Sequence, residues 1–515
     1  MNIIITLAGK SSRFFIEGYK KDKFLLYLDK DNVVLNKTVN MFSNEDIFHF
    51  IINKKQARKN KNLENFLKNI TRKSFIHIID EHDKGPAFSA INATNIDENE
   101  PIIISYCDFF VNWNYKKFIR ATYNYDGLIP AFRGFHPSSY TGTLYAYLKI
   151  NKNKELLGVR EKKSYTKNPV NEFASCGIYY FKSFKLYKKY TGKLLKKTKK
   201  ESYISLVYND MIKDDLKTGI FEVDNFICLG TPKDYRNYLH WSKYFKVNKK
   251  FNASIPNNGT NLIPMSGEGM RFKKYGYRVS KPLIQINSKP MLYHVCNTFP
   301  KPQSWIFVIR SHDNKNNRIR KLISNMYRNS QIVELKKLTR GPAETCMYAE
   351  NLIDMDKPLF ISSCDYLTFF DEQKWKKIHA DQNIDGAIWT YRLDSITVKS
   401  FKAFAYCKVD NNNLVQKISE KKVISKNPEK DLMLVGSFWF RKAKVFFENY
   451  RESKKKRYMV NNEYYVGNNI NLAIEKKLKF INFNIDQWIS LGDPFELQLY
   501  EYWNNFFQKD SNEYK

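Results

Sequence analysis

The sequence predicts an α/β protein: an open, mostly parallel sheet with helices on both faces, built twice along the chain. Three observations predict it. Apolar runs of strand length alternate with amphipathic stretches. Apolar residues make up 43% of a 515-residue chain and aromatics 16%, enough for large cores and too much chain for one. The same series of chemical features also runs through the chain twice in the same order.

Taken in order, Ile3 to Ile5 reads as a first strand, with no basic segment before it to suggest a signal peptide. "NLENFLKNI" carries helical spacing, and Ile76 to Ile79 reads as a strand. Ile102 to Ser105 is a buried strand running toward Asp108. The series then restarts. Asn261 to Pro264 is the second first strand, Ile306 to Ile309 another, and "IRKLISNMY" a helix. Leu359 to Ser362 runs toward Asp365. Alternating strands and helices give a parallel sheet, whose ligands lie beyond the carboxyl ends of its strands. The turn after each first strand and the Asp after each later strand are expected to converge there.

The repeat sets the organisation. Arg13 aligns with Arg271, Lys23 with Lys281 and Gly85-Pro86-Ala87 with Gly341-Pro342-Ala343. Cys107-Asp108 aligns with Cys364-Asp365, and Asp126-Gly127 with Asp385-Gly386. Glu161-Lys162-Lys163 aligns with Glu420-Lys421-Lys422, Glu201 with Glu463, and Leu229-Gly230 with Leu491-Gly492. The offset drifts only from 256 to 262. Two tandem domains of about 250 residues are expected, 1–246 and 260–515, a usual domain size. Between them, 247–259 ("VNKKFNASIPNNG") reads as a polar linker ending in a turn.

The formal charge is +34, but Lys is spread along the whole chain beside abundant Asn and Ile. Patches mark nucleic-acid binders, not totals, so the charge reads as compositional bias and no nucleic-acid partner is expected. No apolar stretch is long enough to span a membrane. Seven scattered Cys without a CxxC pair suit a reducing cytoplasm.

Four features carry chemistry. The opening turns run Leu7-Ala8-Gly9-Lys10-Ser11-Ser12-Arg13 and Met265-Ser266-Gly267-Glu268-Gly269-Met270-Arg271. Small residues let backbone N–H groups approach an anion, and Arg adds a fork of donors. Such a turn either receives phosphate or is an ordinary strand-to-helix turn. Lys23 and Lys281 each follow ten residues later at the mouth of an apolar segment, either snorkelling or aimed at a ligand. Asp108 and Asp365 are strand-end carboxylates, either helix caps or ligands of Mg²⁺, which favours one or two hard carboxylates beside phosphates. Asp224 and Asp486, before "NFICLGTP" and "QWISLGDP", are candidates for a second metal ligand.

There is no GxxxxGK[ST], no full GxGxxG with an acidic partner, no kinase HRD or DFG set, and no DxD at either strand-end Asp. What is present resembles the sugar-1-phosphate nucleotidyltransferases. "SGEGMRFKKYGYRVSKPLIQINSKPML" is similar to their opening GxGxRF followed by Lys-Pro-Leu, and "LAGKSSRFFIEGYKKDKFLL" to the GxSSRF variant of capsule-associated members. The likeness continues through "TRGPAETC", "ISSCDYL", "REKKSYTKNP", "FASCGIYYF", "ESYISLVYN" and "CLGTPKDYRNYLHWSKYF", nearly the whole chain, twice.

The resemblance implies a Rossmann-like nucleotidyltransferase (GT-A-like) fold with a mixed, mostly parallel sheet. It implies transfer of a nucleotidyl group from NTP to a phosphorylated acceptor, with Mg²⁺ or Mn²⁺. Arg13 and Arg271 would hold the leaving pyrophosphate, Lys23 and Lys281 would bridge donor and acceptor phosphates, and Asp108 and Asp365 would bind the metal. Gly85, Pro86 and Ala87, with Gly341, Pro342 and Ala343, lie where the family reads the base. Glu161 and Lys162, with Glu420 and Lys421, lie where it holds the acceptor, Gly177 and Gly436 nearby.

This sequence also departs from the pattern. Lys23-Phe24 replaces Lys-Pro, Ser11 replaces Gly, and Cys228 and Ser490 stand where better-known members carry a second Asp. Either Asp224 and Asp486 take over the second metal position, or the protein holds one metal alone. The competing reading is a degenerate nucleotide-sugar-binding or regulatory module, against which the intact Arg, Lys and Asp of both copies argue.

Overall fold

The structure, a computed structural model, describes residues 1–138, 144–198, 201–247, 256–314, 317–393 and 401–513. Most of the expected linker, 248–255, lies outside the described residues. The chain divides into two compact units, Met1–Ser242 and Lys243–Lys515.

The first unit is built on a sheet that begins, edge inward, Ser74–Ile79, Ile47–Asn53, Asn2–Thr6, Ile102–Tyr106. These four strands are parallel. Ile178–Phe181 follows antiparallel, then Gly127–Phe132, with Thr218–Glu222 parallel to the latter. All five residues of Asn2–Thr6 are buried. A strand covered on both faces reads as a continuous apolar run, which is why Ile3-Ile4-Ile5 shows no alternation.

The second unit repeats the order. Ser330–Leu335, Ser304–Arg310, Thr260–Pro264 and Leu359–Ile361 are parallel. Leu432–Phe440 is antiparallel, and Gly386–Tyr391 pairs in parallel with Phe480–Asn484. The expected helices are Leu63–Asn69 and Arg318–Met326. Each unit has a buried core of its own: Ile4, Ile104, Ile129 and Phe181 belong to one cluster, Leu262, Ile306, Ile388 and Phe440 to the other. Burying one such side chain contributes roughly 1.5–3 kcal/mol.

Beside each main sheet lies a two-stranded antiparallel ribbon. Phe109–Asn112 pairs with Asn225–Cys228, and Tyr366–Phe369 with Gln487–Ser490. Asp108 and Asp365 thus lead into strands, not helices, and cap nothing.

Candidate functional site

Two neighbouring parallel strands position the site in each unit. Thr6 is level with Tyr106, and Leu262 with Ile361. The segments that follow them emerge at the same sheet edge: the opening turn on one strand, Cys107-Asp108 or Cys364-Asp365 on the other. The strand order reverses between these two strands, and such a switch point leaves a crevice.

In the first unit the turn is tied down by side chains from the next strand and helix. Gln56 donates to the Leu7 carbonyl at 2.9 Å, and Asn53 to the Ala8 carbonyl at 2.9 Å. In the second, Ser266 and Thr345 share a hydrogen bond of 3.1 Å. Gly9 and Gly267 have open space where a side chain would stand. Gly269 has φ +63°, in the left-handed region, and Ser11 adopts the same conformation at φ +50°. That geometry strains a non-glycine residue by about 1–3 kcal/mol. In partial return, the Ser11 hydroxyl accepts the Lys23 N–H at 3.2 Å. Ser12 and Met270 begin short helices carrying Arg13 and Arg271.

Lys23 Nζ donates to Asp108 Oδ2 at 2.6 Å, and Lys281 Nζ to Asp365 Oδ2 at 2.8 Å. The four side chains are only 20–24% exposed, so neither lysine is snorkelling. Burial opposes the charge on both lysines, but the adjacent carboxylates outweigh it and hold both above the usual lysine range. Burial would raise Asp365, yet Lys281 and a Ser363 hydrogen bond hold it below the usual carboxylate range. Arg271 is itself exposed, but its field reaches both Lys281 and Asp365.

The expected base-reading turns need glycine. Gly85 has φ +87°, and a Cβ there would fall 2.5 Å from Ser202 N. Gly341 has φ +104°, and its Cβ would meet Tyr464 O at 2.7 Å. The Ala87 and Ala343 N–H groups donate to the same neighbours, Ser202 O and Tyr464 O, each at 3.1 Å. Pro86 and Pro342 start the helices that follow.

The expected acceptor residues lie next to that neighbour segment. Ser205 Oγ donates to Glu161 Oε2 at 2.6 Å, and burial raises Glu161 above its usual value. Burial likewise pushes Glu420 up to about 7, partly offset by Lys421 and the Gly467 N–H. Lys162 (φ +54°) and Lys421 (φ +56°) share a left-handed backbone. Their ammonium groups lie over the rings of Tyr203 and Tyr465. Those hydroxyls donate to Glu201 and Glu463, so each unit has a Tyr–Glu pair beside the lysine that sequence reasoning did not place in the site. Gly177 (φ +92°) and Gly436 (φ +93°) leave room for Phe109 and Tyr366, on the strand after each Asp.

In the second unit a cavity of about 1010 Å³ gathers Gly267, Arg271, Lys281, Gly341, Glu463 and Gly492. The opening turn, Arg271, Lys281 and the Gly341 turn therefore share one crevice.

Asp224 and Asp486 are not brought to it. Cys228 pairs with Phe109 and Asn225 with Asn112, so Asp224 is at the far end of the ribbon from Asp108. Ser490 pairs with Tyr366 and Gln487 with Phe369, which places Asp486 equally far from Asp365. At about 3.4 Å per residue the separation exceeds about 10 Å, too far for one cation. The expectation fails because each Asp begins its strand, whereas the site lies where the strand ends.

The carboxylates near that end are Asp234 and Glu496. A Cβ on Gly492 would lie 3.1 Å from Asp365 Oδ2 and 3.6 Å from Glu496 Oε2. Burial, with Asp493 adding to it, pushes Glu496 up to about 7. In the first unit Cys228 Sγ stands 3.7 Å from Asp234 Oδ2. The available signal was an acidic residue four positions after Gly230 and Gly492, in "GTPKD" and "GDPFE". Among the described residues no group of three or more His, Cys, Asp or Glu could hold a metal. One or two hard carboxylates fit Mg²⁺ or Mn²⁺, whose remaining positions go to water and phosphate oxygens.

The sequence model of the nucleotidyl transferase family matches residues 260–503. No curated protein matches the chain. Among solved structures, a nucleoside-diphosphate-sugar pyrophosphorylase from Vibrio cholerae RC9 is 22% identical, over 46% of this chain and 98% of its own, with TM-score 0.39. The inositol-1-phosphate CTP transferase from T. maritima is 14% identical, over 48% of this chain and 96% of its own, with TM-score 0.38. A UDP-glucose pyrophosphorylase complexed with UDP-glucose is 16% identical, over 49% of this chain and 99% of its own, with TM-score 0.37.

Proposed function

We propose that this chain, whose residues 260–503 match the nucleotidyl transferase family, moves a nucleotidyl group from a nucleoside triphosphate to a sugar-1-phosphate or similar phosphorylated acceptor, releasing pyrophosphate. The observation that carries this reading is the Lys281–Asp365 pair at the switch point, beside an arginine-bearing turn, with Lys23–Asp108 repeating it.

The chemistry fits what those residues supply. An acceptor phosphate is already ionised, so its oxygen attacks the α-phosphorus without a base. The bond to the β-phosphate breaks, and pyrophosphate leaves with the bonding pair. The obstacle is repulsion between anions, met by positioning and charge neutralisation. Arg271 offers the leaving pyrophosphate a planar fork of donors. Lys281, held protonated, serves as a cation between donor and acceptor phosphates. Mg²⁺ or Mn²⁺, when bound, adds positive charge at the triphosphate, and Asp108 and Asp365 are the residues that would hold it. Glu420 and Lys421 face the acceptor, and Gly341 to Ala343 the base. Arg13, Lys23, Glu161 and Gly85 to Ala87 take the same parts in the first unit.

We infer that both units catalyse, with one product or two, since each retains its Lys–Asp pair. We assign the product to capsule or other surface-glycan assembly on the likeness of "LAGKSSRF" to capsule-associated turns. We infer a cytoplasmic setting from the triphosphate donor and the seven free cysteines. The test is pyrophosphate release with each common NTP against a panel of sugar-1-phosphates and small phosphorylated alcohols. At least one pair should turn over, EDTA should abolish it, and Lys281→Ala should slow the second unit by roughly 10² or more. Silence across the whole panel would sink the reading.

A further inference from the structure

We infer that each unit holds its divalent cation with a second carboxylate delivered by the helix after the last ribbon strand: Glu496 beside Asp365, and Asp234 beside Asp108. This rests on the nucleotidyl-transfer reading and names a metal ligand at the same site.

The placement follows from the ribbon. After strand Gln487–Ser490 the chain turns through Leu491-Gly492 into helix Pro494–Glu513. The Leu491 N–H donates to the Asp365 carbonyl at 2.8 Å, and the Leu229 N–H to the Asp108 carbonyl at 2.7 Å. Each turn is therefore pinned against its aspartate. The first turn of the helix then carries Glu496 back over the gap at Gly492, where a Cβ would stand 3.1 Å from Asp365 Oδ2 and 3.6 Å from Glu496 Oε2. Any side chain at this position would fill the gap between two oxygens. At Gly230 a Cβ would lie 3.1 Å from Asp108 Oδ2 and 3.5 Å from Cys228 Sγ, and that sulfur is 3.7 Å from Asp234 Oδ2.

Both carboxylates are oriented as metal ligands need to be, by bonds that fix their direction. Asp234 accepts from Ser138 Oγ and Thr231 Oγ1, each at 2.6 Å. Glu496 accepts from Ser490 Oγ and from the Asp493 N–H at 3.1 Å. The residues that pair beside each aspartate, Cys228 with Phe109 and Ser490 with Tyr366, offer no carboxylate, so a second anionic oxygen would come from the helix that follows. Asp224 and Asp486, at the far end of the ribbon, cannot supply it. That Asp108 and Asp365 are cation sites is already visible: a lysine ammonium rests on each, at 2.6 and 2.8 Å.

Mn²⁺ titration of the full chain, followed by the EPR signal of the free ion, tests this without turnover. Wild type should bind one Mn²⁺ per unit. Glu496→Gln should weaken one site and Asp234→Asn the other, each roughly tenfold or more. Glu496→Asp, the residue type already present at Asp234, should recover most of the lost affinity and separates ligation from misfolding. If Asp365→Asn loses a site while Glu496→Gln titrates like wild type, this inference fails and the functional reading stands. If Asp365→Asn and Asp108→Asn also titrate like wild type, the metal assignment within the functional reading fails with it. No recovery in a folded Glu496→Asp also counts against the ligand role.

Discussion

Lys281 and Arg271 carry positive charge in different settings. Lys281 is clamped on Asp365, while Arg271 is exposed on a five-residue helix and its charge acts on the same pair. Arg271→Lys keeps the charge and loses the fork, so catalytic efficiency for NTP should fall roughly tenfold or more. Steady-state kinetics equal to wild type would show that the fork is not used. This part of the site was legible because the order of Arg, Lys and strand-end Asp is covalent, and Asp108 and Asp365 follow strands that reveal themselves by apolar runs. Glu496 was only half legible. An acid four positions after Gly230 and Gly492 repeats in both halves, but which way the first turn of the helix faces is a direction no local pattern encodes.

Glycine decides the close contacts between elements. Gly467 is at the start of helix Val466–Glu475, and a Cβ there would fall 2.3 Å from Glu420 Oε1. Gly467→Ala should therefore displace the Glu420 carboxylate, which we propose faces the acceptor. We expect KM for the acceptor to rise several-fold with KM for NTP little changed; an unchanged acceptor KM would contradict the assignment. In the first unit the matching position is Ser205, whose hydroxyl holds Glu161. Glu420 also sets a pH dependence. The folded protein keeps its proton up to about pH 7, whereas the unfolded chain releases it near 4.5, the ordinary value for a glutamate. Raising the pH through that window therefore costs folding stability. Glu420→Gln should remove that slope and gain on wild type above about pH 7. Urea unfolding at pH 5 and pH 8 measures it: a mutant-to-wild-type difference that stays constant with pH would refute the shift. The antiparallel register of the ribbons belongs to this scale too. It moved Asp224 and Asp486 out of the site by setting which end of each strand meets Asp108 and Asp365.

At the scale of the whole chain, two units repeat one strand order and each owns a core and a Lys–Asp pair. If each is a complete site, Lys23→Ala and Lys281→Ala should remove different activities, or additive shares of one. Pyrophosphate release from both variants across the same substrate panel decides it. Loss of all turnover in either single variant would mean that the units are obligately coupled.

The amino-acid sequence by itself determined the α/β class, the central strands, the doubling of the unit and the triad of Arg, Lys and Asp in each half. Those features are written in composition, period and order along one chain, and burial of apolar runs enforces them wherever the chain folds. Only the tertiary structure decided which carboxylates come near Asp108 and Asp365, and that Glu201–Tyr203 and Glu463–Tyr465 abut the turns at Gly85 and Gly341. These are meetings of segments far apart in sequence. They are set by strand register, by the direction in which a helix leaves its turn, and by the absence of a Cβ at Gly85, Gly341, Gly230 and Gly492.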